Sequence, residues 1–211
     1  MSEGVSIEAD GAEAAREALQ RCVGSGGVAL FPADGLYGLA CDPLSRAAVE
    51  RVQALKDRDE RKPSAVMYFS PLAMRELVET LGPRTREAVA ALLPGPVTLV
   101  VDNRQRRYPL ACREDPERLG IRLIEGPLAG AMTPVMQTSA NRSGAPPPHR
   151  FEDVDPEIVA AVDLAIDGGE LTGQPSTVVD LAELDLSGRW GILREGGMTR
   201  EALMASLGRP A

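Results

Sequence analysis

Two kinds of apolar run alternate along the chain. Ala14, Ala15, Ala18, Leu19 and Cys22 recur at helical spacing from Asp10 onward, and Gly24-Ser25-Gly26-Gly27 stops that helix. Val28-Ala29-Leu30-Phe31, bounded by glycine and proline, predicts a short buried strand. Ser45 stands where an N-cap belongs, ahead of a helix carrying Ala48, Val52 and Leu55. A strand is predicted over 65–69 and helices over 72–81 and 84–92, separated by Gly82-Pro83. The second half reads as strands at 97–101, 120–124, 135–138, 164–166, 177–181 and 190–193, with a closing helix over 198–207. Alternation of this kind predicts an α/β (α+β) fold: one domain, residues 1–211 with a core of about 10–207, built on a twisted mixed β-sheet flanked by helices.

Composition narrows the picture. With 211 residues, 44% hydrophobic and 26% charged, the chain is that of an ordinary globular protein; its 3% aromatics leave the core to Val, Leu, Ile and Ala. The 21 glycines and 17 prolines are spread as sharp turns, with no repeat or low-complexity linker. No apolar run approaches the roughly 20 residues that span a bilayer. Met1-Ser2-Glu3-Gly4 lacks the basic and apolar regions of a signal peptide. Cys22, Cys41 and Cys112 are odd in number and without a CxxC, which fits core thiols in a reducing cytoplasm and predicts no metal site. His149 is the lone histidine, so a histidine triad is hard to build and a solvent-exposed loop position is expected. The net charge of −8 argues against a general nucleic-acid binder but permits a local basic cleft.

Several strings carry chemistry. The only two lysines, Lys56 and Lys62, bracket the charged run Lys56-Asp57-Arg58-Asp59-Glu60-Arg61-Lys62, while the chain's other 21 basic residues are all arginines. A compact point charge retained in one place suits a triphosphate, although a solvated face accounts for the run equally well. Thr138-Ser139-Ala140-Asn141-Arg142-Ser143-Gly144 follows an apolar strand with hydroxyls, an amide and a glycine, the makings of an anion-receiving loop. No GxxxxGK[ST] or GxGxxG is present. Ser176 and Thr177 open another strand, and Pro94-Gly95-Pro96-Val97-Thr98 reads as a rigid structural turn. Arg122 is a charge inside an apolar strand, suited to a bidentate grip on a carboxylate; Arg194 closes another strand.

In this order the strings resemble the YrdC-like family, the threonylcarbamoyl-adenylate synthases of tRNA modification, from about Gly26 to Gly197. The resemblance rests on Pro32-Ala33-Asp34-Gly35-Leu36-Tyr37-Gly38-Leu39, Lys56-x-Arg58 with Lys62-Pro63, the Pro-Gly-Pro turn with Thr98, Arg122, Ser139-Ala140-Asn141-Arg142-Ser143-Gly144, Ser176-Thr177-Val178 and Arg194-Glu195-Gly196. It implies a large basic cavity on one sheet face. It also implies condensation of L-threonine, bicarbonate or CO2 and ATP to threonylcarbamoyl-AMP and pyrophosphate, with Mg2+ carried by the triphosphate. By that likeness Lys56 and Arg58 serve catalysis, and Arg58, Lys62, Ser139, Asn141, Ser143 and Arg194 hold ATP. Gly35, Met67, Arg122, Ser139 and Ser176 line the threonine site.

The chain resembles the short, single-domain form, working in the cytoplasm with a tRNA threonylcarbamoyl-transferase complex downstream. Ala33 and Gly35 stand where the family has threonines, and Met67 where it usually has histidine. Gly35 and Met67 also resemble the YrdC-like domains of hydrogenase-maturation carbamoyltransferases. Adenylation of another carbamoyl group, or RNA binding without catalysis, therefore stay open as alternatives.

Overall fold

The structure, a computed structural model, describes residues 3–56 and 62–208. In chain order the strands are β1 (Glu3–Ser6), β2 (Ala29–Pro32), β3 (Tyr37–Cys41), β4 (Ala65–Tyr68), β5 (Val97–Asp102), β6 (Arg118–Leu123), β7 (Val135–Ser139), β8 (Leu164–Asp167), β9 (Thr177–Asp180) and β10 (Gly191–Arg194). The helices are α1 (Ile7–Gly24), α2 (Arg46–Lys56), α3 (Pro71–Thr80), α4 (Pro83–Leu92), α5 (Pro109–Cys112), α6 (Pro156–Ala161), α7 (Leu184–Ser187) and α8 (Arg200–Leu207).

All ten strands join one open mixed sheet in the order β1-β8-β2-β3-β7-β4-β6-β5-β9-β10. Pairing is parallel for β1/β8, β8/β2, β4/β6 and β5/β9, and antiparallel elsewhere. The α/β expectation of a twisted mixed sheet flanked by helices holds. Each of the eight strands predicted from the sequence has its counterpart here, whereas β1, β3 and the short helices α5 to α7 were not foreseen. β3, Tyr-Gly-Leu-Ala-Cys, is buried at every position and so shows no alternation. β1 is a partly exposed edge strand whose pairing with β8 gives it its conformation.

Strand periodicity sorts side chains onto two faces. Val97, Leu99 and Val101 of β5, Leu119, Ile121 and Leu123 of β6, and Val66 and Tyr68 of β4 pack into the larger core with residues of α2, α3, α4 and α8. Each fully buried Leu or Ile here contributes about 1.5–3 kcal/mol. On the opposite face, Ala29 and Phe31 of β2, Met67 of β4, Val135 of β7 and Ile166 of β8 lie beneath Ala15, Ala18 and Leu19 of α1. That smaller core stops short of β5, β6, β9 and β10. Thr98, Val100, Gly120, Arg122 and Val178 of these strands instead line a cavity.

Candidate functional site

The cavity has a volume of about 560 Å3. Its floor comes from one parity of four strands: Thr98 and Val100 of β5, Gly120 and Arg122 of β6, Gln137 and Ser139 of β7, and Val178 of β9. Ser176, Gln174 and Arg194 complete one wall, Gly35 and Leu36 another. Arg118, Arg122 and Arg194 face Asp115 and Asp180 around the lining, an excess of one positive charge among the described residues. Arg118 is already paired with Asp180.

Arg122 is the most constrained of these cations. It is 5% exposed; Nη2 donates to Asp34 Oδ2 at 3.0 Å and Nη1 to Ala33 O at 3.5 Å, while Nε is buried with no partner among the described residues. Burial, offset in part by Asp34 and reinforced by Arg194, pushes its pKa down to about 10, so it stays cationic at neutral pH. Asp34 reaches it from a left-handed backbone, φ 78°. Such an under-satisfied buried guanidinium has room in its energetics for a ligand carboxylate.

Arg194 stands nearby, exposed overall, its pKa lowered by partial desolvation of the guanidinium, with no carboxylate partner among the described residues. Its Nη2 donates to Ser176 O at 2.7 Å and Ser176 Oγ at 3.2 Å. Ser176 Oγ also meets Thr98 Oγ1 at 2.8 Å. The Pro-Gly-Pro-Val-Thr string therefore does more than turn the chain: its threonine fixes a cavity hydroxyl.

The hydroxyl-rich loop after β7 is held from below. Lys56, 2% exposed, donates from Nζ to the carbonyl oxygens of Ser139 and Asn141, the latter at 2.7 Å, and approaches Asn141 Oδ1 at 3.4 Å. Ser143 N–H donates to Lys56 O at 2.8 Å. Asn141 Nδ2 donates to Arg142 O and Ala145 O, and Arg142 is clamped to Asp155 and Glu157.

These contacts place Lys56, expected from the likeness to serve catalysis, at the base of the loop. Its ammonium is turned into the loop and does not line the cavity. Asn141 and Ser143 likewise shape the loop, and only Ser139, of the residues 139–144, lines the cavity. Met67, expected from the likeness to line the threonine site, is fully buried among Phe31, Phe69 and Val135 in the core under α1, outside the lining. Lys62 is exposed beside lining residue Pro63, and Arg58 lies outside the described residues. Gly35, Arg122, Ser139, Ser176 and Arg194 are brought together around one space.

Gln137 and Gln174 line it too and were not singled out, because a lone glutamine in a strand or loop carries no signal. Tyr37 of the first string is structural, donating to Gly169 O at 2.8 Å and accepting from Gly168 N–H at 2.9 Å. Burial raises Cys22 to about 11, Cys41 to about 12 and Cys112 to about 11, so these thiols stay protonated and poor as nucleophiles. His149 sits part-exposed in a loop near Glu170.

An open mixed sheet with an arginine-lined cavity on its helix-free half defines the class of α/β protein. The chain belongs to the Sua5/YciO/YrdC family: the family model described as "Telomere recombination" matches residues 21–196. It is 33% identical over 164 residues to the threonylcarbamoyl-AMP synthase of Xanthomonas axonopodis pv. citri (strain 306), covering 74% of this chain and 87% of that one. The enzyme of the same name from Stenotrophomonas maltophilia (strain K279a) is 32% identical over 166 residues, 74% of this chain and 88% of the relative.

P. abyssi Sua5 complexed with L-threonine matches the structure with a TM-score of 0.83 at 25% identity, over 100% of this chain. This chain spans 62% of that protein's length. E. coli YciO shares the fold, with a TM-score of 0.79 at 23% identity over 96% of this chain and 100% of that one. No helix among the described residues is long and apolar enough to cross a membrane.

Proposed function

We propose that the protein is a threonylcarbamoyl-AMP synthase, condensing L-threonine, bicarbonate and MgATP to threonylcarbamoyl-AMP and pyrophosphate. The observation that carries this reading is the buried, under-satisfied Arg122 set beside Arg194 in a cavity of about 560 Å3. One cation suits the amino-acid carboxylate, the other the phosphates. Bicarbonate takes up a proton and gives CO2 and water; the threonine amine adds to the CO2 and loses a proton, giving a carbamate. A carbamate oxygen then attacks the α-phosphorus, the bond to the oxygen bridging to the β-phosphate breaks, and pyrophosphate leaves with the electron pair.

The nucleophile comes from the substrate, so the protein has to position reactants and neutralise charge. Arg122 holds the carboxylate, with Ser176 fixed beside it by Thr98. Ser139 and Arg194 face the phosphates. Lys62, exposed beside the lining residue Pro63, and Arg58, by the family likeness, are assigned to the triphosphate, and magnesium arrives on the nucleotide. Transfer of the product to tRNA by a downstream complex in the cytoplasm completes the reading.

Pyrophosphate release from ATP and bicarbonate, measured with and without L-threonine, tests it. Release is expected to require threonine. Release indifferent to threonine but dependent on another carbamoyl donor would replace this reading with the second one that Gly35 permits.

A further inference from the structure

The chain between β8 and β9 crosses the rim of the cavity as a strap without regular structure. Leu171 N–H donates to His149 O at 2.8 Å, Gly173 N–H to Gly35 O at 2.9 Å, and Gly197 N–H to Pro175 O at 2.8 Å. With the Tyr37 bonds to Gly168 and Gly169 and the Arg194 bond to Ser176 O, these tie the strap down along its length. Two glycines make room for it. A Cβ added to Gly35 would stand 2.1 Å from Gln174 O and 2.7 Å from Thr172 Oγ1; one added to Gly196 would stand 2.3 Å from Pro175 O. Backbone at such distances cannot yield without moving the strap. A hydroxyl-bearing side chain at position 35, the residue the family pattern places there, is therefore incompatible with the strap as it lies.

Gln174 occupies the strap where it faces the cavity, two residues before Ser176. Its side-chain amide forms no hydrogen bond among the described residues. An amide offers both donors and an acceptor, the same capabilities as a hydroxyl, from a longer arm.

We propose that Gln174 is a specificity-determining residue for the amino-acid substrate, its amide meeting the substrate's side-chain hydroxyl in place of a side chain at position 35. This rests on the threonine-dependent reading given above. A site built to hydrogen-bond a hydroxyl rejects the analogue that lacks it, because its polar group is then left unpaired.

The test compares kcat/KM for L-threonine and L-2-aminobutyrate, which keeps the methyl group and lacks the hydroxyl. In Gln174→Ala the preference for threonine is expected to fall roughly tenfold, with the KM for ATP unmoved. Gln174→Glu, which keeps an acceptor, is expected to retain part of the preference. Gly35→Thr is expected to raise the KM for threonine by displacing the strap. A Gln174→Ala enzyme with the preference of the unaltered protein overturns the proposal, as does a Gly35→Thr enzyme that uses threonine equally well. If the unaltered protein ignores threonine altogether, it is the underlying reading that fails.

Discussion

Arg122 lies on a strand whose other parity, Leu119, Ile121 and Leu123, is wholly apolar, and burial opposes its charge. Its folded pKa of about 10 lies below the usual 12.5, so the destabilisation is present at every pH below about 10 and fades only above it. Arg122→Met is accordingly expected to abolish threonine-dependent pyrophosphate release. Its thermal midpoint at neutral pH should stay close to that of the unaltered protein, since the cost of burying the Arg122 charge is removed while Asp34, left without its partner, has a side chain 35% exposed and open to hydration. A calorimetric scan alongside the assay checks both halves; a large fall in midpoint would make Arg122 a structural residue. Arg122 was legible in the sequence because a charge interrupts an apolar strand. Gln174 was not, since its meaning depends on Gly35, a neighbour only in space.

Among the elements, the loop after β7 shows how a motif divides into parts. The run of hydroxyls and amide marked an anion-receiving loop, and the fold gives its members different tasks. Ser139 lines the cavity, while Lys56, Asn141 and Arg142 hold the loop in shape. Lys56→Ala would leave buried carbonyls without their donor, a loss of about 2 kcal/mol. A lower unfolding midpoint and a higher KM for ATP are expected together. Arg194→Ala, which removes a cavity cation without a carboxylate partner among the described residues, is expected to raise the KM for ATP with the midpoint unchanged. Chemical denaturation of the two variants separates them; equal midpoints would return Lys56 to the nucleotide. At this scale β3 escaped sequence reading because a strand buried on both faces has no alternation to read.

For the whole molecule, the formal charge of −8 and the cavity's excess of one positive charge act at different distances. Beyond about 8 Å at physiological salt, the acidic surface dominates what a polyanion meets. Non-specific RNA binding is expected to be undetectable by filter binding at about 0.15 M salt, while MgATP still binds. Tight, salt-sensitive RNA binding without turnover would favour a non-catalytic RNA binder. The sequence by itself determined the order of most strands and helices, because side-chain periodicity reports local geometry. It also determined the set of polar residues, Arg122, Ser139, Ser176 and Arg194, that interrupt apolar runs. Only the tertiary structure decided which half of the second sheet face no helix covers, and hence which of those residues share a cavity. It alone turned Lys56 into the loop, put Met67 in the core and laid the strap across Gly35, because these outcomes depend on contacts between segments far apart in the chain.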